Sequence, residues 1–142
     1  MTILSRIMLL VGVLTVVGCS GNGTPSGTAT VTGKVTYKGK GLPGGRITFY
    51  SAKDPGKSGT GNIKGDGTYE AKLVPQGECK VTVENAYLQM GPPPPMTGEG
   101  MAGTETAGQK YVSINPAFTK HESTTVTTTV TGSTYTFDFE VK

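Results

Sequence analysis

Two glycine-rich segments have the spacing of loops that hold phosphate groups. Residues 39–44 (GKGLPG) match the G-x-G-x-x-G pattern of dinucleotide-binding loops, and residues 56–58 (GKS) match the end of a P-loop. Both sites need a helix directly after the loop, because the amides of the helix N-terminus bind the phosphate. Residues 43–45 (PGG) lead into a strand pattern, and residues 59–61 (GTG) disfavour a helix. We therefore interpret both segments as turns.

Metal ligands are scarce, since the chain of 142 residues contains one His and two Cys. His121 is followed by Glu122, but Thr125 stands where a helical HExxH zinc site needs its second His. We interpret His121 as a lone, solvent-exposed side chain.

The sulfur-containing side chains offer little more chemistry. Cys79 has the inward parity of its predicted strand, so we expect a buried, inert thiol. Three methionines (Met90, Met96 and Met101) have the soft thioethers that Cu(I) accepts, but the commoner use of Met is to dock a long loop. The sequence predicts no metal site and no cofactor.

Carboxylates and tyrosines complete the candidate site residues. Asp54, Asp66 and Glu99 are the acids of a small loop-based hydrolase, which is the weaker alternative because they are far apart and Asp66 has a sufficient role in a turn. No Ser stands in a G-x-S-x-G motif. We predict no catalytic residues. The candidate ligand contacts are tyrosines whose rings could stack on sugars, namely Tyr50, Tyr87 and Tyr111.

The N-terminus has the pattern of a bacterial export signal. Residues 1–18 contain one cation, Arg6, before the apolar run Ile7–Val17. As a helix this run is only about 16 Å long, roughly half of a hydrocarbon core, which disfavours a transmembrane span. Residues 16–19 (VVGC) resemble a lipobox, and this resemblance implies that lipid is attached to Cys19 after cleavage.

Residues 19–29 are predicted to form the lipidated Cys and a flexible tether, because residues 20–28 (SGNGTPSGT) lack apolar side chains that could order them. Ser20, rather than Asp, after the Cys resembles lipoproteins sent to the outer membrane. We expect a protein of the bacterial cell envelope, bound to the membrane through Cys19. The net charge of +3 with singly scattered lysines argues against nucleic acid as a partner.

The remaining chain, residues 30–142, alternates between apolar and polar side chains with period two. This pattern predicts seven strands, at residues 30–38, 46–51, 60–64, 68–74, 78–84, 123–131 and 134–142. The last two are expected to form a hairpin around Gly132-Ser133. The inward positions are Val31, Gly33, Val35, Tyr37, Ile47, Phe49, Tyr69, Ala71, Leu73, Cys79, Val81 and Val83. Strands with one apolar face need a second layer, so we predict an all-β sandwich.

One long connection interrupts the strands. Residues 85–113 contain several Gly and the run Pro92–Pro95, which favours a stiff polyproline II segment. A connection of this length usually carries function or is disordered.

Turn glycines, turn prolines and core positions form recognisable motifs in two segments, VTGKVTYKGKGLPGGRITF at residues 31–49 and GDGTYEAKLVPQGECKVTV at residues 65–83. Both segments resemble the carboxypeptidase regulatory-like domain. The resemblance implies a transthyretin-like β-sandwich that serves as a noncatalytic envelope module, in a structural or interaction role with an envelope protein or glycan; carbohydrate binding is the alternative. It does not extend to the transthyretin-like hydrolase of 5-hydroxyisourate, because that family uses several His and a C-terminal Tyr-Arg-Gly-Ser, whereas this chain ends in residues 140–142 (EVK).

Overall fold

A computed structural model describes residues 26–90 and 108–142. The predicted signal peptide, Cys19 and residues 91–107 lie outside the described residues, and so do Pro92–Pro95, Met96, Glu99 and Met101. In the described ranges the chain forms β1 (Thr28–Tyr37), β2 (Lys40–Gly41), β3 (Gly45–Ser51), β4 (Ser58–Ile63), β5 (Thr68–Pro75), β6 (Gly77–Glu84), β7 (Thr127–Val130), β8 (Thr134–Thr136) and β9 (Phe139–Val141). Two short 3-10 helices cover Ala86–Met90 and Pro116–Phe118. Neither has the length that a helix needs to cross a membrane, and the described ranges contain no other helix.

The strands form one curled sheet with mostly antiparallel pairing. Its order is β2-β1-β5-β4-β3-β6-β7, and β8 and β9 pair with β1 outside this path. The all-β prediction is therefore confirmed. The strand number is higher than the predicted seven, because Lys40–Gly41 forms the short β2 and the last predicted strand is divided into β8 and β9.

The predicted C-terminal hairpin is wrong. β7 pairs with β6, whereas β8 and β9 pair in parallel with β1, in a register that aligns Thr32 with Thr136 and Val35 with Phe139. Between β8 and β9 the Phe137 amide donates to the Thr32 carbonyl at 2.9 Å. Gly132-Ser133 therefore connects strands at two different edges of the sheet instead of closing a hairpin. Alternation predicts which side chains face inward, but it does not predict which strand supplies the hydrogen-bond partner.

The parallel pairing depends on a very close approach at Gly33. A Cβ atom at this position would collide with the Phe137 carbonyl oxygen and would lie 2.9 Å from Oδ1 of Asp138. That Oδ1 accepts a hydrogen bond from the Lys34 amide at 2.6 Å, and the Tyr69 hydroxyl donates to the Phe137 carbonyl at 2.6 Å. Gly33 thus provides the space in which the C-terminal strand lies against β1.

Two further glycines allow the sheet to curl. Gly59 and Gly61 occupy inward, buried positions of β4. A Cβ on Gly59 would lie 2.6 Å from Cα of Val74, and one on Gly61 would collide with the Glu70 carbonyl oxygen. Strand glycines commonly mark such close backbone approaches. The missing side chains let β4 and β5 bend together around the core.

The segment from Asn115 to Val126, which we call the return segment, bridges the two edges of the curl. On one edge the Val81 amide donates to the Val126 carbonyl at 2.9 Å, and the Thr124 hydroxyl donates to the Val81 carbonyl at 2.6 Å. On the other edge the Asn115 amide donates to the Lys142 carbonyl at 2.8 Å. Backbone groups at both edges are thereby satisfied.

The inward parity predicted for β3 and β6 is confirmed, because Ile47, Phe49, Cys79, Val81 and Val83 are all buried. In β1, Val31 and Val35 are buried in the hydrophobic core, and Tyr37 is partly buried and packs against that core cluster.

The prediction for Leu73 is wrong. Between the pairs Ala29 with Val74 and Val31 with Ala71, β5 carries one extra residue, so the strand contains a β-bulge. Leu73 takes φ +57° there and is 54% exposed, while the next residue, Val74, is buried. An extra residue shifts the period-two pattern by one position, which alternation by itself cannot reveal.

The strand directions define two ends of the molecule. At the tether end the chain enters at Gly27, whose carbonyl accepts from the Gln76 amide at 3.0 Å, and the Gln76 side chain donates to the Gly132 carbonyl at 2.7 Å. We call the opposite end the insertion end, because both ends of the long connection, residues 85–90 and 108–112, lie there. It also contains the turns 38–39 and 64–67. The ten residues of β1 separate the two ends by about 33 Å at roughly 3.3 Å per residue.

The bulge predicts an inverted order of stability between two variants. We expect Leu73→Gly to be more stable than Leu73→Ala by about 1 kcal/mol, although Gly normally costs a strand about 0.5–1 kcal/mol relative to Ala. Both variants lack the leucine side chain, so the difference isolates the positive φ. Urea unfolding followed by circular dichroism measures it. An Ala variant as stable as the Gly variant would contradict the bulge conformation.

The close approach at Gly33 predicts that Gly33→Ala lowers the free energy of unfolding by about 2 kcal/mol or more, because the added methyl displaces the Phe137 carbonyl. Gly56→Ala is the matched control, since its Cβ would lie 3.5 Å from the nearest atom, Oδ1 of Asp54. We expect the control to unfold close to the parent in the same urea titration. Equal effects of both substitutions would show that the C-terminal strand does not depend on Gly33.

Candidate functional site

A groove of about 260 Å³ opens at the insertion end. It lies between the end of β6 and the return segment, and its lining residues are Glu84, Asn85, Ala86, Tyr111, Ile114, Pro116, Thr119 and Lys120. Small-molecule pockets usually measure about 300–1,000 Å³. The groove therefore suits one ring or one short segment of a larger ligand.

Local hydrogen bonds hold the walls of the groove. Asn85 is buried, and its Nδ2 donates to the Val112 carbonyl at 2.6 Å, which ties the two ends of the long connection together. Asn115 caps the second 3-10 helix, because its Oδ1 accepts from the Ala117 amide at 2.9 Å. The Thr119 hydroxyl donates to the Pro116 carbonyl at 2.9 Å. These bonds fix the backbone on both sides of the opening.

The side chains of the groove combine one aromatic ring with two opposite charges. Tyr111 is 38% exposed, and Glu84 and Lys120 are exposed as well. Ile114 and Pro116 add apolar side chains to the lining. A groove that offers a tyrosine ring, a hydrogen-bond acceptor and a cationic donor can contact the face of a polar ring and its hydroxyl groups. This arrangement favours binding of a polar, ring-containing ligand.

The three tyrosines predicted as ligand contacts lie in three different places. Tyr111 lines the groove. Tyr87 is 38% exposed, and its ring centroid lies 5.9 Å from the Arg46 guanidinium. Arg46 is the β3 residue that pairs with Glu84 of β6. Partial burial raises the pKa of Tyr87, an effect that Arg46 opposes and Glu84 reinforces.

Tyr50 does not line the groove. Its ring packs against His121, with 4.8 Å between the ring centroids, and both residues are partly buried. The interpretation of His121 as a lone solvent-exposed side chain is therefore wrong, because the return segment folds back over the outer face of β3. In the described ranges, no three His, Cys, Asp or Glu side chains are grouped closely enough to bind a metal ion.

Asp54 and Asp66, the two acids of the hydrolase alternative that lie within the described residues, are not brought together. Asp54 lies in the turn before β4 and pairs with Lys57 at 3.2 Å, whereas Asp66 lies in the turn after β4. Six residues of β4 separate these turns by about 20 Å. The Asp66 carboxylate accepts hydrogen bonds from the Thr68 hydroxyl and amide at 2.7 and 2.9 Å, and these bonds lower its pKa. Each acid thus has a role in its own turn.

Both glycine-rich segments are turns, as predicted. Residues 39–44 connect β1, β2 and β3, and residues 56–58 lead into β4. A strand, rather than a helix, follows each segment. Met90 is 89% exposed, whereas Met96 and Met101 lie outside the described residues.

Sequence reasoning missed most of the groove. Glu84 and Lys120 are 36 positions apart and line one groove only because the return segment packs against the edge of β6. One local signal was present, since Asn115-Pro116 is a typical start of a helical turn. It indicates the wall of the groove but not the groove itself.

Burial of Cys79 predicts an unreactive thiol. The residue is fully buried, its Sγ lies 3.3 Å from the Pro75 carbonyl oxygen, and burial raises its pKa. We expect iodoacetamide to leave Cys79 unmodified in the folded protein at mildly alkaline pH and to alkylate it in concentrated urea. Peptide mass spectrometry measures the modified fraction. Rapid modification without denaturant would contradict the buried position.

Comparison of the chain with family models, with curated proteins and with solved structures finds no match. The strand pairing by itself shows an all-β fold of mostly antiparallel strands in a curled sheet.

Proposed function

We propose that this protein is a noncatalytic, lipid-anchored module of the bacterial cell envelope. Residues 1–18 act as its signal peptide, and lipid on Cys19 holds it at the outer membrane. The curled sheet is a transthyretin-like β-sandwich of the carboxypeptidase regulatory-like type. The lipobox pattern and the motifs of residues 31–49 and 65–83 support these assignments.

The observation that carries the proposal is the position of the groove relative to the tether. The chain enters the sheet at Gly27, and the groove opens at the other end of β1. Eight residues from Cys19 to Gly27 reach at most about 27 Å at roughly 3.4 Å each. Together with the length of β1, this tether holds the groove up to about 60 Å from the membrane surface.

This geometry fits a protein that contacts another envelope component. A lipid-bound module with its groove directed away from the bilayer meets proteins or glycans of the envelope before it meets lipid. The exposed Tyr111, in a groove that Glu84 and Lys120 also line, favours the carbohydrate-binding alternative within this role.

Substitution of the lipidated Cys tests the anchor. We expect Cys19→Ala to lose the membrane fraction and the added lipid mass, because the thiol and the new N-terminal amine of Cys19 are the acylation sites. Cys79→Ala is the matched control, since it removes the other cysteine from a buried position. Density-gradient fractionation and mass spectrometry of the intact protein supply the readouts. Retention of Cys19→Ala in the outer-membrane fraction would contradict the anchor.

A further inference from the structure

Four exposed lysines lie on three segments that contact one another at the insertion end. They are Lys38, Lys40, Lys64 and Lys110, which we call the lysine cap. The Lys110 amide donates to the Pro43 carbonyl at 2.6 Å, and Nε2 of Gln109 donates to the Ile63 carbonyl at 3.0 Å. A Cβ on Gly41 would collide with the Asp66 carbonyl oxygen. These contacts gather the three lysine-bearing segments into one surface.

The charge of the lysine cap is only partly balanced. The ion pairs found in the described residues join Asp54 with Lys57 and Glu70 with Lys72, so neither includes a cap lysine. Two acids among the described residues are nearby. The Asp66 carboxylate accepts from Thr68, and Oε1 of Glu140 accepts from the Gly39 amide at 3.1 Å. Four cations against these two acids leave the described part of this surface positive.

The lysine cap continues into the groove. Tyr111 directly follows Lys110, and Lys120 adds a further cation on the groove wall. A chain of acidic sugars could therefore place carboxylates on the cap and one ring against Tyr111. Glu84 offers a hydrogen-bond acceptor to the hydroxyl groups of a sugar ring in the groove, which favours a ligand that is rich in hydroxyl groups.

We propose that the lysine cap and the adjoining groove bind an acidic polysaccharide of the envelope. The inference rests on the proposed function in one respect, that the tether end and not the insertion end faces the bilayer. The cations bind the carboxylates through salt-sensitive contacts, and the groove selects a sugar ring.

Calorimetry with the full-length protein in a neutral detergent tests this inference. The probes are polygalacturonate and the same polymer with its carboxylates methyl-esterified. The test variant is Lys40→Gln/Lys64→Gln/Lys110→Gln. The matched control is Lys53→Gln/Lys57→Gln/Lys72→Gln, which removes the same charge from exposed positions on the β3–β4 turn and β5.

We expect the parent to bind polygalacturonate but not its ester. The cap variant should bind at least about tenfold more weakly and with a smaller salt dependence, whereas the control should stay within about twofold of the parent. Tyr111→Ala should weaken binding without changing the salt dependence, since it removes a ring and no charge. Equal losses in both triple variants, or equal binding of the ester, would overturn the inference.

Two other probes separate the remaining sources of negative charge. They are an oligothymidylate and a phosphatidylglycerol vesicle. If either bound through the same lysines as tightly as polygalacturonate, the proposal of an acidic polysaccharide ligand would be overturned. Binding in neutral detergent does not depend on the anchor. Loss of polygalacturonate binding therefore contradicts only this inference, whereas membrane retention of Cys19→Ala contradicts only the proposed anchor.

Discussion

The parallel pairing of the C-terminal strand with β1 is the interaction on which the rest of the structure depends. It joins the two ends of the described chain, satisfies the second edge of β1 and directs Tyr135, Phe137 and Phe139 toward the core cluster. Pairing between segments so distant in sequence costs chain entropy. Burial of the aromatic side chains and the backbone hydrogen bonds, which the close fit at Gly33 permits, have to compensate for that cost. That pairing is also what places β8 at the edge of the sheet opposite β7.

The curl of the sheet follows from missing side chains as much as from apolar ones. Gly59 and Gly61 keep the inner face of β4 empty, and the backbone of β5 approaches that face closely. The bulge at Leu73 then returns Val74 to the core at the cost of an exposed leucine at positive φ. The return segment covers what remains of the opening and, in doing so, builds the groove.

This construction separates attachment from recognition. The described chain begins beside the β5–β6 and β7–β8 connections. The Gln76 side chain holds this region together, because it donates to the Thr28 and Gly132 carbonyls. The groove and the lysine cap lie at the other end of the strands, where turns rather than strands supply the exposed side chains. Binding residues on loops held by a rigid sheet are a common arrangement in proteins. The proposed anchor and the proposed glycan surface are thus compatible within one small domain.

The sequence by itself determined the local features of this protein. Period-two alternation predicted the strands and the inward faces of β3 and β6, turn glycines marked the connections, and strand parity predicted the burial of Cys79. The tertiary structure alone decided the partner of the last strand, the outward position of Leu73 and the placement of Glu84 and Lys120 in one groove. The reason is physical: side-chain parity is set by neighbouring residues, whereas strand pairing, bulges and groove walls are set by hydrogen bonds and packing between distant segments.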